Sequence, residues 1–342
     1  MHRNSRATRD KLLLIAFIPV LVASMTFSPA MVALDPPTTA ASHAASSAPT
    51  TAGAVAASVS RPDEAQRRHE TEARIERRSA RLHWNEGVLR LRIEAEVPEE
   101  LSQVPTAAQR VQRRLERFIE ELFLDSINHL QLNSAERGAA RLDREAELTN
   151  RVRDIRQALQ SRYTGPRPDL GGSAIEYELD LYAELIRSFQ PHQTPRPVPR
   201  VPGWRASREF TGVVIYATDE LPVHGSDRSA QLVPALLPRL HDDERYELAF
   251  SPVMVEPEFL ERWGPVAYAE PGSEARLVER VGNNPLRVLA SGLYGETPTD
   301  LMIPRDDILR LLSRENNRRL LAEGRIVIVL PPSQTEERLI SD

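Results

Sequence analysis

The 342-residue chain contains no cysteine. This absence excludes disulfide bonds, thiolate catalysis and cysteine-based zinc sites. It also excludes lipid attachment at an N-terminal cysteine. Lys11 is the only lysine, and arginine supplies the other positive side chains, which we interpret as codon usage in a GC-rich genome rather than as a binding signal. The formal net charge of -5 gives no reason to expect a nucleic-acid partner.

The short motifs of well-known enzyme classes are also missing. The chain has no G-x-S-x-G, H-E-x-x-H, Walker or Rossmann pattern. The most site-like cluster is His241-Asp242-Asp243-Glu244, because a histidine beside carboxylates can bind a metal or act as an acid/base pair. It lies where a strand should turn, so an exposed polar turn is the favoured interpretation. We predict no catalytic, cofactor-binding or metal-binding residue, no cofactor, and a protein that is not an enzyme.

The N-terminus has the pattern of an export signal. A positively charged start precedes the apolar residues 12–25, and the small residues Ser28 and Ala30 follow at the spacing of a cleavage site. Apolar character continues through Leu34, so residues 12–34 are also long enough for a membrane anchor. We predict a signal peptide or N-terminal anchor at residues 1–30. The protein is then exported, and either periplasmic or anchored to the inner membrane facing the periplasm.

Residues 31–81, which follow the predicted signal, have side chains that are too polar or too small to build a hydrophobic core. Residues 31–62 are rich in alanine, serine, threonine and proline, which predicts a disordered tether. Residues 63–81 are densely charged with both signs mixed, which predicts a solvated helix.

Residues 63–190 are predicted to form a first α+β domain. Residues 88–97 alternate between apolar and charged side chains, which is typical of a strand with one wet face, and a turn at residues 85–87 joins it to a partner strand. An apolar stripe predicts a helix at residues 106–130, and a second helix is predicted at residues 141–163. Another alternating strand follows near Ile175. The proline-rich residues 191–207 then form an extended, fairly stiff linker.

Residues 208–332 are predicted to form a second α+β domain, with a flexible tail at residues 333–342. A short β-branched run at residues 213–216 suits a buried strand. Pro234 and Pro238 make residues 232–240 an edge strand or an extended crossing segment. Residues 326–330 are apolar without alternation, so we place them beside residues 213–216 with both faces covered. Each domain is then a mixed or antiparallel sheet with helices packed on it.

Four segments of the second domain resemble a known pattern when they are taken in order. They are FTGVVIYA, VPALLPRLHDDE, RVGNNPLRVLASG and RDDILRLLSRENNRRLLAEGRIVIVL. Over about residues 210–330 the chain resembles the C-terminal half of exported spirochaete-type proteins related to the LPP-type lipoprotein and flagellar-assembly lipoprotein superfamily. The resemblance implies a non-catalytic cell-envelope protein with a structural or assembly role, whose partners are envelope or flagellar-assembly proteins. The missing lipobox cysteine departs from that pattern, so lipidated attachment to the outer membrane does not carry over.

Two alternatives remain open from the sequence. The first is a secreted metal-dependent hydrolase that uses His224, His241, Asp242 and Asp243. It requires these side chains to converge at the mouth of one pocket. The second is a periplasmic ligand-binding module, which requires a sizeable apolar cleft between the two domains.

Overall fold

The computed structural model describes residues 75–96, 107–167, 172–201 and 206–341. The predicted signal peptide or anchor and the predicted tether lie outside these residues. The helices of the described residues are α1 (Ala107–His129), α2 (Gly138–Arg144), α3 (Ala146–Ile155), α4 (Ile186–Phe189), α5 (Pro257–Trp263), α6 (Val278–Val281), α7 (Arg305–Leu312) and α8 (Glu315–Ala322). None of these helices is both long enough and apolar enough to cross a bilayer.

Strands occur in both predicted domains. Those of the first predicted domain are β1 (Ile75–His83), β2 (Val88–Glu96), β3 (Gln131–Asn133), β4 (Glu136–Arg137), β5 (Gln160–Pro166) and β6 (Gly172–Asp180). Those that follow the linker are β7 (Val213–Tyr216), β8 (Leu221–Pro222), β9 (Ser229–Ala230), β10 (Leu240–Asp242), β11 (Leu248–Phe250), β12 (Ala267–Ala269), β13 (Leu286–Leu289), β14 (Gly292–Tyr294), β15 (Asp300–Ile303), β16 (Ile326–Val329) and β17 (Glu336–Ser341).

The first domain is built on an antiparallel sheet of strand order β17-β1-β2-β6-β5. Strand β2 buries Leu89, Leu91 and Ile93 on one face, as its alternation predicts. Helix α1 packs on the sheet, and Leu115 and Phe123 of its apolar stripe are buried. The predicted hairpin, the long helix and the strand near Ile175 are therefore present in this sheet and its covering helix.

Two helices of the first domain were predicted over residues that form strands. The helix predicted at residues 141–163 is present up to Ile155, as the end of α2 and the whole of α3, but residues 160–166 form β5 at the edge of the sheet. The charged segment predicted as a solvated helix forms β1 from Ile75 onward. The reason is tertiary, because Ala80 and Leu82 face the core and the backbone of β1 has a strand partner on each side.

The predicted flexible tail at residues 333–342 is also wrong for its described residues. Residues 336–341 form β17, which pairs antiparallel with β1 and so completes the first domain's sheet. Leu339 and Ile340 pack against the core. Trp84 donates from its backbone nitrogen to the carbonyl of Thr335 at 2.8 Å and from Nε1 to Glu337 at 3.0 Å. A polar sequence becomes ordered here because β1 otherwise has an open hydrogen-bonding edge.

The centre of the second domain is a sheet of order β12-β16-β7-β13 in which all neighbouring strands run parallel. Strand β16 lies beside β7, with Ile328 opposite Ile215, and all its side chains are buried. Ile328 joins the main core on one face, whereas Val327 and Val329 join a smaller cluster on the other. The predicted position of this strand is therefore confirmed, including cover on both faces.

A second sheet of the same domain is mixed, with order β11-β10-β15-β14. Residues 232–239 reach it without forming a strand, and Leu232, Leu236 and Leu237 are buried. This is the extended crossing segment that the two prolines predict. The α+β class is thus confirmed, but the second domain has two main sheets, one of them wholly parallel. Parallel neighbours require crossover connections, and the segments that carry α5, α6, α7 and α8 provide them.

Candidate functional site

The described residues of both domains belong to one compact unit and share one hydrophobic core. The junction between the domains is therefore packed. One of its contacts is made by a hairpin of the first domain. Residues 131–137 form the small β3–β4 hairpin, and two of its carbonyls accept hydrogen bonds from the crossing segment. The donors are the nitrogens of Leu236 (3.0 Å, to Gln131) and Leu237 (2.7 Å, to Leu132).

The same hairpin reaches a buried carboxylate. Ser134 donates from Oγ to Asp300 at 2.7 Å, and its carbonyl accepts from the nitrogen of Thr297 at 3.1 Å. Burial raises the pKa of Asp300, and the hydrogen bond from Ser134 opposes that rise. Asp300 also accepts from the nitrogen of Arg239 at 3.2 Å, so it ties the hairpin to the crossing segment. Sequence reasoning did not find this contact, because a three-residue strand has no periodicity to detect.

A tyrosine forms a second contact at the junction. The ring of Tyr182 lies against Gly87 of the β1–β2 turn and Gly264 at the end of α5. A Cβ atom on Gly264 would lie 2.3 Å from Tyr182 Cδ1, and one on Gly87 would lie 2.7 Å from Cε2. Burial of the hydroxyl raises the pKa of Tyr182 to about 12. Both glycines have positive φ (+70° and +74°), so they serve the backbone turn and the close approach of the ring together.

Arg280 holds the backbone next to this ring. It is 4% exposed and donates to the carbonyls of Trp263, Gly264 and Gly324, with the latter two at 2.8 Å. Trp263 is the last residue of α5, where helix carbonyls lack internal partners, and Gly264 and Gly324 lie just after the ends of α5 and α8. Arg280 therefore satisfies two helix ends from one buried guanidinium.

Three of the residues that the hydrolase hypothesis requires, His241, Asp242 and Asp243, lie in or directly after β10, and His224 lies in the turn after β8. Asp242 is 2% exposed, so the predicted exposed turn is wrong for this residue. Its carboxylate accepts from the nitrogens of Glu244, Arg245 and Glu247 at 3.2, 2.6 and 3.0 Å, and from Arg305 Nη1 at 3.0 Å. Burial by itself would raise the pKa of Asp242, but these hydrogen bonds and the Arg305 charge hold it below its usual value.

Asp243 has a structural partner as well. Its Oδ1 accepts from the backbone nitrogen of Arg305 at 2.9 Å, at the first residue of α7. Such a bond satisfies one of the free N–H groups at a helix start. Both carboxylates are thus held by backbone nitrogens and by Arg305, which fixes the turn after β10 onto α7.

The two histidines, by contrast, meet around one tyrosine. The ring centroid of Tyr294 lies 4.6 Å from that of His241 and 5.4 Å from that of His224. The ring of Tyr246 lies 4.0 Å from that of His224 at a tilt of 40°. Tyr246 has a positive φ of 58°, and its carbonyl lies 3.3 Å from His241 Nδ1. His241 is 8% exposed, so it is not in an exposed turn either.

The structure therefore brings His224 and His241 together but directs Asp242 and Asp243 to other partners. Among the described residues, no group of three histidine or carboxylate side chains is placed to hold a metal ion. The convergence that the hydrolase hypothesis needs is not present in this arrangement. In this cluster the imidazole rings of His224 and His241 stack on the phenol ring of Tyr294, beside the mixed sheet.

The fold and the junction define a class: a two-domain α+β protein with an antiparallel sheet in the first domain and a parallel and a mixed sheet in the second. Strand β17, which follows the second domain, completes the sheet of the first. Comparison with known families agrees domain by domain. Residues 66–188 match the family model of the N-terminal domain of Treponema pallidum Tp0624, and residues 212–332 match that of its second domain. Together the two matches cover well over half of the chain, so it is similar to this spirochaete protein in both domains and in their order.

The matched ranges lie within the predicted domains at residues 63–190 and 208–332. The spirochaete part of the expected resemblance is confirmed, and it extends to the first domain, which the sequence patterns did not connect with any family. The link to the LPP-type and flagellar-assembly lipoproteins stays a prediction. No curated protein matches the chain. Strand β17 lies beyond both matched ranges.

Proposed function

We propose that this chain is an exported, non-catalytic cell-envelope protein with a structural or assembly role. The observation that carries the proposal is the junction, where a returning strand, a docked hairpin and a shared core join two domains into one body. A body of this kind suits a building element or an assembly platform better than a hinged enzyme. The N-terminal sequence supplies the export signal, and residues 12–34 offer membrane anchoring.

Cell fractionation tests the location. We expect the protein in the periplasmic fraction if the signal is cleaved, or in the inner-membrane fraction if residues 12–34 anchor it. Full-length protein that is soluble in the cytoplasm would contradict the proposal. Crosslinking in intact cells, followed by purification of the protein, should then recover envelope proteins as its partners.

Flagellar assembly is the narrower form of the proposal, and only the sequence resemblance supports it. Deleting the gene tests it separately. Loss of motility or altered basal bodies is the expected result. Normal motility and normal basal bodies would remove the flagellar role and leave the envelope role in place.

The ligand-binding alternative is supported by one specific feature. A cavity of about 360 Å³ lies at the junction, between the first domain, the linker and the second domain. Its lining combines polar and cationic side chains with the apolar residues Leu237, Leu248, Pro252 and Val253, so it differs from the apolar cleft that the sequence hypothesis required.

A further inference from the structure

The cavity at the domain junction is lined by residues of the first domain, the linker and the second domain. Asn133 and Arg141 come from the hairpin region, Gln190 follows α4, Arg196 belongs to the linker, and Arg239 and Ser251 belong to the second domain. The linker is held in place on this side, since the nitrogen of Arg196 donates to the carbonyl of Val253 at 2.8 Å. A ligand in this cavity would therefore touch both domains and the linker at once.

The charged groups of the lining are all positive. Arg141 is paired with Glu136 at 2.7 Å, so its charge is largely compensated. The guanidinium groups of Arg196 and Arg239 make no hydrogen bond and no ion pair with any described residue. The backbone nitrogen of Arg239 donates to the buried Asp300, whereas its guanidinium group interacts with that carboxylate only through its charge. Two arginine side chains therefore retain their full donor capacity beside one cavity.

The neutral polar groups of the lining add further donors. Ser251 is 6% exposed, and its Oγ has no hydrogen-bond partner among the described residues. The Oδ1 atom of Asn133 already accepts from the nitrogen of Ala135 at 3.0 Å, which leaves its amide NH₂ as the group that a ligand can use. Buried polar groups usually have hydrogen-bond partners, so the unpartnered Ser251 hydroxyl is independent evidence that a ligand occupies this cavity.

We propose that this cavity binds a small molecule through a phosphate or similar oxyanion group. Guanidinium groups donate two parallel hydrogen bonds to such oxygens, and a hydroxyl and an amide complete the set. The cavity volume lies at the lower end of the range for small-molecule sites. It is larger than a single phosphate needs, so an organic phosphate fits in the cavity. This site goes beyond the envelope role proposed above and does not depend on it.

Calorimetric titration of the full-length protein tests the site, with inorganic phosphate and glycerol 3-phosphate as probes. We expect saturable binding of both, and tighter binding of the ester. Arg196→Gln should weaken binding about tenfold or more, because it removes a charged donor, and the exposed Arg196 side chain makes no hydrogen bond or ion pair with the described residues that the change would break. Arg200→Gln is the matched control, an exposed arginine of the same linker that does not line the cavity, and should bind like the parent.

Ser251→Ala should also weaken binding, and a thermal melt of each variant separates lost binding from lost folding. If Ser251→Ala fails to fold, the Arg196 and Arg200 pair still decides. A third probe, a water-soluble short-chain phosphatidylglycerol, distinguishes the two sources of phosphate. Tighter binding than glycerol 3-phosphate assigns the site to a lipid headgroup, and weaker binding assigns it to a free metabolite. No saturable binding of any probe, or equal affinities of the Arg196→Gln and Arg200→Gln proteins, would overturn the proposal.

Discussion

Asn317 shows how one buried amide can hold the start of a domain. It is fully buried in α8, where its Oδ1 accepts from the nitrogen of Phe210 at 3.0 Å. Its Nδ2 donates to the carbonyls of Arg208 at 2.9 Å and Arg310 at 3.2 Å. The amide therefore joins the entry into the second domain to the two helices before β16.

We expect Asn317→Ala to lower the free energy of unfolding by roughly 2–3 kcal/mol, because buried backbone groups lose their partner. Asn316→Ala is a close control, since the neighbouring asparagine of the same helix is exposed. It should leave stability unchanged or slightly higher, as alanine is the better helix former. Urea unfolding of both variants gives the comparison. Equal midpoints would show that the Asn317 amide is not a structural link.

Asp242 makes a pH-dependent contribution to stability. Its pKa is lower in the folded protein than the ordinary value of about 3.9. A carboxylate of this kind stabilises the folded state fully above the unfolded pKa, and the stabilisation is lost as pH falls through the folded pKa. The Asp242 contribution should therefore be complete near neutral pH and disappear below about pH 4.

Asp242→Asn should cost about 1.5–3 kcal/mol at pH 7, the range for hydrogen bonds to a charged group. The difference from the parent should shrink as pH falls below about 4, where the parent loses the same charge. Melting temperatures from pH 7 to pH 2 measure this, with Asp227→Asn as an exposed control that should show a small difference at all pH values. A difference for Asp242→Asn that persists at pH 2 would assign the effect to packing rather than to charge.

At the scale of elements, the contact of Tyr182 with Gly264 joins the end of α5 to the first domain. Gly264→Ala adds a methyl group against the Tyr182 ring and strains a residue with φ of +74°. Gly225→Ala is a matched control, because Gly225 has φ of +75° but open space around its Cβ position. Both variants place alanine at a positive φ, but Gly264 also has ψ of 179°, a backbone region essentially confined to glycine, so Gly264→Ala carries this extra strain as well as the clash.

We expect Gly264→Ala to melt several degrees below Gly225→Ala. Both proteins should be compared by thermal unfolding in the same buffer. If the two variants melt together, the ring of Tyr182 moves aside without cost, and the junction is looser than the packing indicates.

The parallel sheet provides a second test at this scale. Ile328→Asp would place an unpaired charge between β7 and β12, where Ile328 is fully buried. The cost should remove much of the ~5–15 kcal/mol that stabilises a domain. We expect an unfolded or degraded protein, whereas Arg338→Glu, at an exposed position of β17, should fold normally. A thermal melt decides, and an Ile328→Asp protein that melts like the parent would mean that this strand is not the centre of the domain.

At the scale of the whole molecule, β17 connects the two ends of the described chain. It follows the second domain in sequence but belongs to the first domain's sheet. Arg81 and Glu336 form an ion pair at 2.9 Å although 255 positions separate them. The sheet of the first domain is therefore completed by residues that follow the second domain.

A chain that ends at Thr335 should lose stability in the first domain, since β1 loses one hydrogen-bonding edge and its covering side chains. We expect a lower melting temperature and faster amide hydrogen exchange in β1, with little change in β16. A chain that ends at Ser341 is the control and should behave like the parent. Unchanged exchange in β1 after the longer truncation would show that the strand adds nothing to the sheet.

Local patterns were enough to predict the elements whose burial is periodic. The alternation of β2, the apolar stripe of α1 and the unbroken run of β16 each reflect how many faces of that element are covered, and the structure agrees in all three. The export signal, the tether and the envelope role also come from the sequence, and they stay predictions.

Only the tertiary structure decided what depends on distant partners. The polar residues of β17 and the charged start of β1 become strands because each supplies the other's missing backbone partner, which no local pattern contains. Asp242 is buried because four donors surround it, although its neighbours in sequence suggest an exposed turn. The arginine-lined cavity exists because the hairpin, the linker and the second domain meet, so its donors become a set only when the chain is folded.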